Sequence, residues 1–514
     1  MLWHRLTVVL ILVSTHVHCK RKNVLFLVAD DMRPDLDVYQ GRDSPSPVRE
    51  KVHAPNLNSL AGKSLLLRRA YVQQSVCSPS RTSLLTGRRP DTTHVYDLHT
   101  YWRKAAGNFT TLPEYFKRHG YNTLGFGKIF HHGDASGDND PVSWSEPCYE
   151  TRPKVNSFAD DGNSWRAVPT SLLNSNSLQD TVTTDMAIQK LKSIAPKARS
   201  GQEPFFLAVG YHKPHLPFVF PEKFLSYYPD QSIHVPPNQY APLDMPSLAW
   251  ITYPELRYYK DIAALNATGA PNTTLPANVV KNLRRAYYSC ISYIDEELGR
   301  VLAELEHQGL ANDTIISFFG DHGWQLGEHG LWTKHTNFDI ATHAPMMIHI
   351  PGLTDQGIPT EELVEFVDLF PTLVEAAGLP SLHVCPEDSS KVDVCTEGQS
   401  FLPLIEQPKT DNWKKAAFSQ YPRHSHGRHK LMGYSMTTGR YRYTEWVGFD
   451  ATHYKPKWSV SSGAELYDHY QDPQENINLV HDPAHKDLVV KLSHRLHAGW
   501  RHELTTQHVP SIIG

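Results

Sequence analysis

The chain has 514 residues, 40% hydrophobic and 20% charged, with 30 Gly, 37 Pro and only 6 Cys. These figures exclude a disordered, collagen-like or disulfide-scaffold protein. The formal charge of −4, from 50 Lys+Arg against 54 Asp+Glu, argues against a nucleic-acid binder, while 30 histidines can turn the surface cationic below about pH 6.5. That would suit an anionic substrate met in acid, although surface histidines need no substrate.

Met1–Arg5 ends in a base, Leu6–Val13 is a short apolar core, and Val17-His18-Cys19 follows as a cleavage region. This reads as a signal peptide over residues 1–19. The apolar run falls well short of the ~20 residues a membrane span needs, and no later stretch qualifies. Four Asn-x-Ser/Thr sequons, at Asn108, Asn266, Asn272 and Asn312, are candidate N-glycan sites on a luminal or secreted protein.

Asn23–Ala29 (NVLFLVA) is a continuous apolar run, as expected of a strand buried on both faces, and it leads directly into Asp30-Asp31. Asn56–Lys63 and Ser78–Thr86 read as short helices, the second with Pro79 in its first turn and Gly87 past its end. A helix over Thr111–His119 and a strand over Tyr121–Gly127 follow, then a buried strand at Phe205–Gly210. Pro221–Asn278 is expected to be irregular rim. Beyond it come a long helix over Lys281–His307, strands at Thr314–Phe319 and Pro345–Ile350, and a helix near Asp368–Ala377. This alternation predicts an α/β fold, a large mostly parallel mixed sheet sandwiched by helices. Arg423–Lys430 reads as a polar linker. Strands at Lys430–Thr438, Arg440–Val447 and Glu465–Tyr467 and a helix at Lys486–Trp500 then predict a smaller α+β domain. The expected organisation is a main domain over residues 20–424 and a second over 425–514.

Cys385 and Cys395 bracket a polar loop, and an oxidising compartment favours their disulfide. Cys290 sits in a helical run as a small buried hydrophobe, and Cys148 has no evident mate.

The chemistry collects where parallel strands end, the usual ligand-binding edge of such sheets. Asp30 and Asp31 follow one strand, Lys128 and His131 another, His212, Lys213 and His215 a third, and Asp321 and His322 a fourth. Asp30, Asp31, Asp321 and His322 make a metal site, since three close carboxylates repel without a divalent cation. Oxygen-rich coordination favours Ca²⁺ or Mg²⁺, and the imidazole leaves Zn²⁺ or Mn²⁺ open. Cys77 opens a helix, where the positive dipole end would lower a thiol pKa.

Cys77-Ser78-Pro79-Ser80-Arg81 followed by Thr86-Gly87-Arg88 resembles the sulfatase signature, and Asp30-Asp31 and Asp321-His322-Gly323 resemble that family's metal motifs. Lys128, His131, His212 and Lys334 fall where sulfatases carry the groups that bind sulfate. The likeness runs on to Glu465-Leu466-Tyr467-Asp468, Asp472-Pro473 and Asn478-Leu479.

The resemblance implies an alkaline phosphatase/sulfatase-like fold and one Ca²⁺ at Asp30, Asp31, Cys77, Asp321 and His322. It implies that a formylglycine-generating enzyme oxidises Cys77 to formylglycine, whose hydrated aldehyde attacks sulfur. Lys128, Lys334 and His212 would clamp the sulfuryl oxygens, and Arg81 would steady the nucleophile and the metal ligands. His212 or His131 would protonate the leaving sugar oxygen, with His212 preferred, and His131 would accept the second proton.

Longer matching segments lie at Cys77–Tyr96, Phe206–His215, Asp321–His329, Asn337–Pro345 and Tyr441–Phe449. They imply a lysosomal enzyme acting on the 2-O-sulfate of non-reducing-end iduronic acid in heparan and dermatan sulfate. Other readings stay open: a sulfatase of different sugar specificity, a phosphonate or phosphate ester hydrolase of the same superfamily, an inactive sulfated-glycan-binding protein, or a thiol-dependent hydrolase.

Overall fold

The computed structural model describes residues 21–39, 46–48, 50–150, 161–174, 176–424 and 430–505. The segment read as a signal peptide lies outside the described residues, as does most of the stretch read as a linker.

Seven strands build the main sheet: β1 (Asn23–Ala29), β2 (Leu65–Tyr71), β3 (Asn122–Gly127), β4 (Phe205–Tyr211), β5 (Thr314–Gly320), β6 (Met346–His349) and β7 (Ile358–Glu365). Their spatial order is β7-β2-β6-β5-β1-β4-β3. Only β6 runs against its neighbours; every other pair is parallel. Along β1 the side chains alternate between two cores. Leu25 and Leu27 face the helices α4 (Gln179–Arg199) and α5 (Ala277–His307), whereas Val24, Phe26 and Val28 face α2 (Cys77–Thr86), α3 (Leu112–Arg118) and α6 (Leu369–Ala376). Each such side chain contributes about 1.5–3 kcal/mol by leaving water, which is why β1, β4 and β5 are legible as apolar runs.

The helix expected at Asn56–Lys63 is α1 (Pro55–Ala61). Two strands of the main sheet and one long helix against it escaped the sequence reading. β2 (LLLRRAY) and β7 (IPTEELVE) carry charges within the strand, and α4 is too polar over its 21 residues to stand out. The long helix α5 starts one turn earlier than expected, directly after Pro276.

A second sheet is antiparallel, in the order β8 (Ala416–His424), β9 (Lys430–Thr438), β10 (Tyr441–Asp450), β11 (Lys455–Asp468). The helix α7 (Lys486–Ala498) covers one face through Leu492 and Leu496 against Met436, Tyr443 and Leu466. This sheet begins before the boundary expected at residue 425. β8 pairs with β9 along its whole length, and Arg423, read as linker, is the penultimate residue of that strand. β8 also docks on the main domain: Ser419 Oγ donates to the Val72 carbonyl at 2.6 Å and the Gln420 N–H to that of Gln73 at 2.8 Å.

Cys385 and Cys395 are disulfide-bonded, while Cys148 and Cys290 are free, the latter fully buried. Among the described residues, no helix is long and apolar enough to cross a membrane.

Candidate active site

The helix α2 carries Cys77 as its first residue, and all ten of its residues are buried. It ends on Gly87, whose φ of 64° closes the helix in the left-handed conformation that glycine tolerates. Asp30 and Asp31 lie just beyond β1, and Asp321 and His322 just beyond the neighbouring β5. The two segments touch because Gly320 has no side chain: a Cβ there would sit 2.2 Å from the Met32 carbonyl oxygen. Backbone bonds lock the register, Asp321 N–H to Ala29 O at 3.2 Å and Asp31 N–H to Asp321 Oδ1 at 2.8 Å. Asp31 itself has φ 60°.

Three buried carboxylates therefore share one site with three buried cations. Lys128 Nζ lies 2.5 Å from Asp30 Oδ2, Lys334 Nζ 2.9 Å from Asp31 Oδ1, and Arg81 bridges Asp30 at 3.0 Å and Asp321 at 2.8 Å. His322 Nδ1 sits 2.9 Å from the Gly323 carbonyl, which can only accept, so Nε2 turns its lone pair to the cluster, 3.2 Å from Asp31 and 3.4 Å from Cys77 Sγ. Burial disfavours ionised Asp30, yet Lys128 and Arg81 outweigh it and hold the carboxyl well below the ordinary range. Asp31 goes the other way. Burial, reinforced by Asp30, Glu255 and Asp321 against the pull of Lys334, pushes its carboxyl well up. Burial also brings His322 down to about 4, leaving a neutral imidazole.

Cys77 departs from the sequence expectation. Burial, with Asp30 adding to it, pushes its thiol well up despite Lys128 and Lys334. The helix N-terminus does not produce a thiolate here, because the site around it is dry and rich in acid.

Of the two histidines in His212-Lys213-Pro214-His215, it is His215 that enters the cluster. Its Nε2 lies 3.7 Å from Asp31 and 3.3 Å from Glu255. His212, the preferred acid in the sequence reading, sits apart: its Nε2 accepts from the Gln179 amide at 3.1 Å, and Nδ1 is 3.5 Å from Asp180. The turn after β4, closed by His215 N–H to the His212 carbonyl at 2.9 Å, reverses the chain and exchanges their places. His131 lies beside Lys128, and burial together with that cation lowers its pKa to about 3. Trp324 is buried beneath the site, with Lys334 Nζ 4.9 Å from its ring centroid.

Two further residues were not legible beforehand. Glu255, on the short helix Pro254–Arg257 within the stretch expected to be rim, places its carboxylate 3.2 Å from Lys334 and 3.1 Å from His335. His335 Nδ1 in turn meets the Tyr421 hydroxyl of β8 at 2.8 Å, and Arg423 donates to the His335 carbonyl at 2.8 Å. A lone glutamate and a lone histidine offered no local signal.

A buried cysteine at a helix start, flanked by a carboxylate–imidazole cluster and ringed by Lys and Arg, at the carboxyl edge of an α/β sheet, defines a hydrolase of anionic esters. The Sulfatase family profile matches residues 22–379, and that of the N-sulphoglucosamine sulphohydrolase C-terminal region matches 327–502. The chain belongs to the sulfatase family and is a sulfuric ester hydrolase. It is 38% identical to the iduronate 2-sulfatase of Mus musculus, over 91% of this chain and 93% of that one. The iduronate 2-sulfatase of Homo sapiens is likewise 38% identical, over 91% and 92%. A phosphonate monoester hydrolase from Silicibacter pomeroyi shares the fold, with a TM-score of 0.69 at 21% identity, covering 94% of this chain and 96% of that one. Members of the family work with a formylglycine and a divalent metal, and the acids and imidazole gathered here offer ligands for such an ion.

Proposed function

We propose that this sulfatase hydrolyses the 2-O-sulfate of non-reducing-end L-iduronic acid in heparan and dermatan sulfate. The observation that carries the reading is the 38% identity to two iduronate 2-sulfatases over nine-tenths of the chain. The site agrees with it: Lys128, Lys334, Arg81 and His215 surround the reaction centre and suit a sugar that bears a sulfate and a carboxylate. The lysosome, reached by the secretory pathway, follows from the same relatives, and all four sequon asparagines are exposed.

The donor set fits a hard divalent cation, since burial, with Asp30, Glu255 and Asp321 adding to it, disfavours ionised Asp31 even with Lys334 beside it. Asp30, Asp31, Asp321 and His322 would hold it, and we assign it as Ca²⁺ from the predominance of carboxylate oxygen. When bound it neutralises sulfuryl charge and acidifies an oxygen nucleophile. Cys77 is the residue converted to formylglycine by the formylglycine-generating enzyme, and that group supplies the attacking oxygen.

The remaining work falls to the chain's own side chains. Lys128 and Lys334 hold the sulfuryl oxygens, as pre-aimed cations do for developing negative charge. Arg81 fixes Asp30 and Asp321. His215 replaces His212 as the imidazole that faces the leaving sugar oxygen: its Nδ1 donates to the Leu216 carbonyl at 2.5 Å, so Nε2 can give a proton only from the doubly protonated ring, a form that burial and Lys334 oppose and Asp30 and Glu255 favour. His131 is the imidazole assigned the proton released as sulfate departs, although burial and Lys128 oppose its charged form. Glu255 holds Lys334, His215 and His335 in place.

Two measurements test this. Mass spectrometry of the Cys77 peptide from protein made in secretory cells should show the aldehyde. Purified protein should release sulfate from a disaccharide ending in 2-O-sulfated iduronate in preference to other sulfate, phosphate and phosphonate esters. An unmodified thiol in active protein, or preference for another ester, overturns the assignment.

A further inference from the structure

Lys334 sits in a segment whose backbone is held against its own preference. Thr333 and His335, on either side of it, have φ of 72° and 77°, a left-handed conformation that non-glycine residues rarely adopt and β-branched ones least of all. Such a conformation persists only where the surroundings over-determine it, and here the second sheet supplies part of the hold. Tyr421 and Arg423 alternate onto the same face of β8. The Tyr421 hydroxyl lies 2.8 Å from His335 Nδ1, and Arg423 Nη2 donates to the His335 carbonyl at 2.8 Å. Arg423 is itself anchored, with Nε donating to the Leu248 carbonyl at 2.8 Å and the guanidinium 4.6 Å from the centre of the Tyr421 ring.

The hydrogen bonds run in one direction. Burial disfavours ionised Glu255, but Lys334, the His335 hydrogen bond and His215 outweigh it and keep the carboxyl well below the ordinary range. A carboxylate can only accept, so His335 Nε2 donates to Glu255 Oε2 at 3.1 Å. Burial lowers the His335 pKa against the pull of Glu255, and a neutral ring with its proton on Nε2 leaves a lone pair on Nδ1. The Tyr421 O–H is therefore the donor there, and among the described residues it makes no other hydrogen bond. With Oε2 fixed by His335, the other oxygen of Glu255 lies 3.2 Å from Lys334 Nζ and 3.3 Å from His215 Nε2.

We propose that Tyr421 is a positioning residue for the sulfatase reaction: through His335 and Glu255 it holds Lys334 towards the sulfuryl oxygens and His215 towards the leaving oxygen, so that the second sheet completes the catalytic site. This purpose rests on the roles proposed above for Lys334 and His215; the chain of contacts does not.

The test is steady-state kinetics of the whole protein on a disaccharide ending in 2-O-sulfated iduronate or, failing that, on the sulfate ester the parent turns over fastest. Tyr421→Phe keeps the ring and removes the donor to His335. It should lower kcat about tenfold, the loss of a buried hydrogen bond, with KM within about twofold, because His215 acts only as the leaving oxygen takes up charge. Ser419→Ala breaks a different β8 contact, the 2.6 Å bond to the Val72 carbonyl, and should lower resistance to urea while keeping the parent kcat. His335→Gly deletes the imidazole at a φ that glycine accepts, and in that background Tyr421→Phe should cost no further kcat. Parent kcat in Tyr421→Phe, an equal loss in Ser419→Ala, or the full loss repeated in the His335→Gly background overturns the proposal. Preference for another sulfate ester, with these ratios kept, would count against the proposed substrate and leave Tyr421 in its role.

Discussion

Replacing Arg81 with methionine keeps most of the side chain's length and removes its charge. In the folded protein the guanidinium lies 2.8 Å from Asp321 and 3.0 Å from Asp30 and donates to the Ile129 carbonyl at 3.0 Å. All three side chains are at most 2% exposed, so solvent cannot screen what is left behind. Lys128 still meets Asp30, but Asp321 keeps only the Asp31 N–H, at 2.8 Å, as a side-chain hydrogen-bond donor, with the lone pair of His322 Nε2 3.7 Å away. Breaking a buried pair by deleting one partner costs about 3–5 kcal/mol, and this deletion breaks two pairs that share one cation. Urea unfolding followed by tryptophan fluorescence should show that loss in the presence of a chelator. With added calcium the loss should shrink, because a cation on the same carboxylates takes over part of the missing charge. A chelated variant within about 0.5 kcal/mol of the parent, the range of an ordinary surface change, would refute the claim that Arg81 holds these acids in place.

Glu255→Ala removes the carboxylate shared by Lys334, His215 and His335; losing a charged hydrogen bond of about 1.5–3 kcal/mol should lower kcat/KM by roughly tenfold to a hundredfold with unchanged circular dichroism. His469 lies 2.8 Å from Glu475, and although burial opposes its charge, that bond and Asp339 raise its pKa above the ordinary 6.5. A raised histidine pKa stabilises fully below 6.5 and is lost as pH climbs through the raised value. Glu475, held below its ordinary 4.5 by Arg442 and His469 against burial, stabilises above 4.5 and loses that contribution as pH falls through the lowered value. His469→Gln should therefore be most destabilising between pH 4.5 and 6.5 and converge on the parent in alkali, as urea midpoints across pH will show. Converting both Cys385 and Cys395 to serine opens a loop with a sequence separation of 10 and should cost about 3 kcal/mol, measured by the same unfolding assay.

The strands that run through the middle of the main sheet were legible because burial on both faces demands continuous apolar residues, and Asn23–Ala29, Phe205–Tyr211 and Thr314–Gly320 obey that demand. β2 and β7 were not, since neighbours and the covering β8 accommodate their charges. β8 was left unassigned, with its end at Arg423 read as linker, because polar residues and Pro422 interrupt its apolar pattern until β9 pairs with it.

The chemistry divides along the same line. Chain order alone supplied the acids and bases that follow each strand, and the Cys77–Arg81 pentapeptide at a helix start, because a parallel sheet delivers its strand ends to one edge whatever the details. Three-dimensional packing decided which histidine of His212–His215 points inward, brought Glu255 from an irregular excursion onto Lys334, and made the Cys77 thiol reluctant to ionise instead of ready to. Each of those outcomes depends on the direction of a turn or on charges held by segments far apart in the chain, and neither leaves a trace in local sequence.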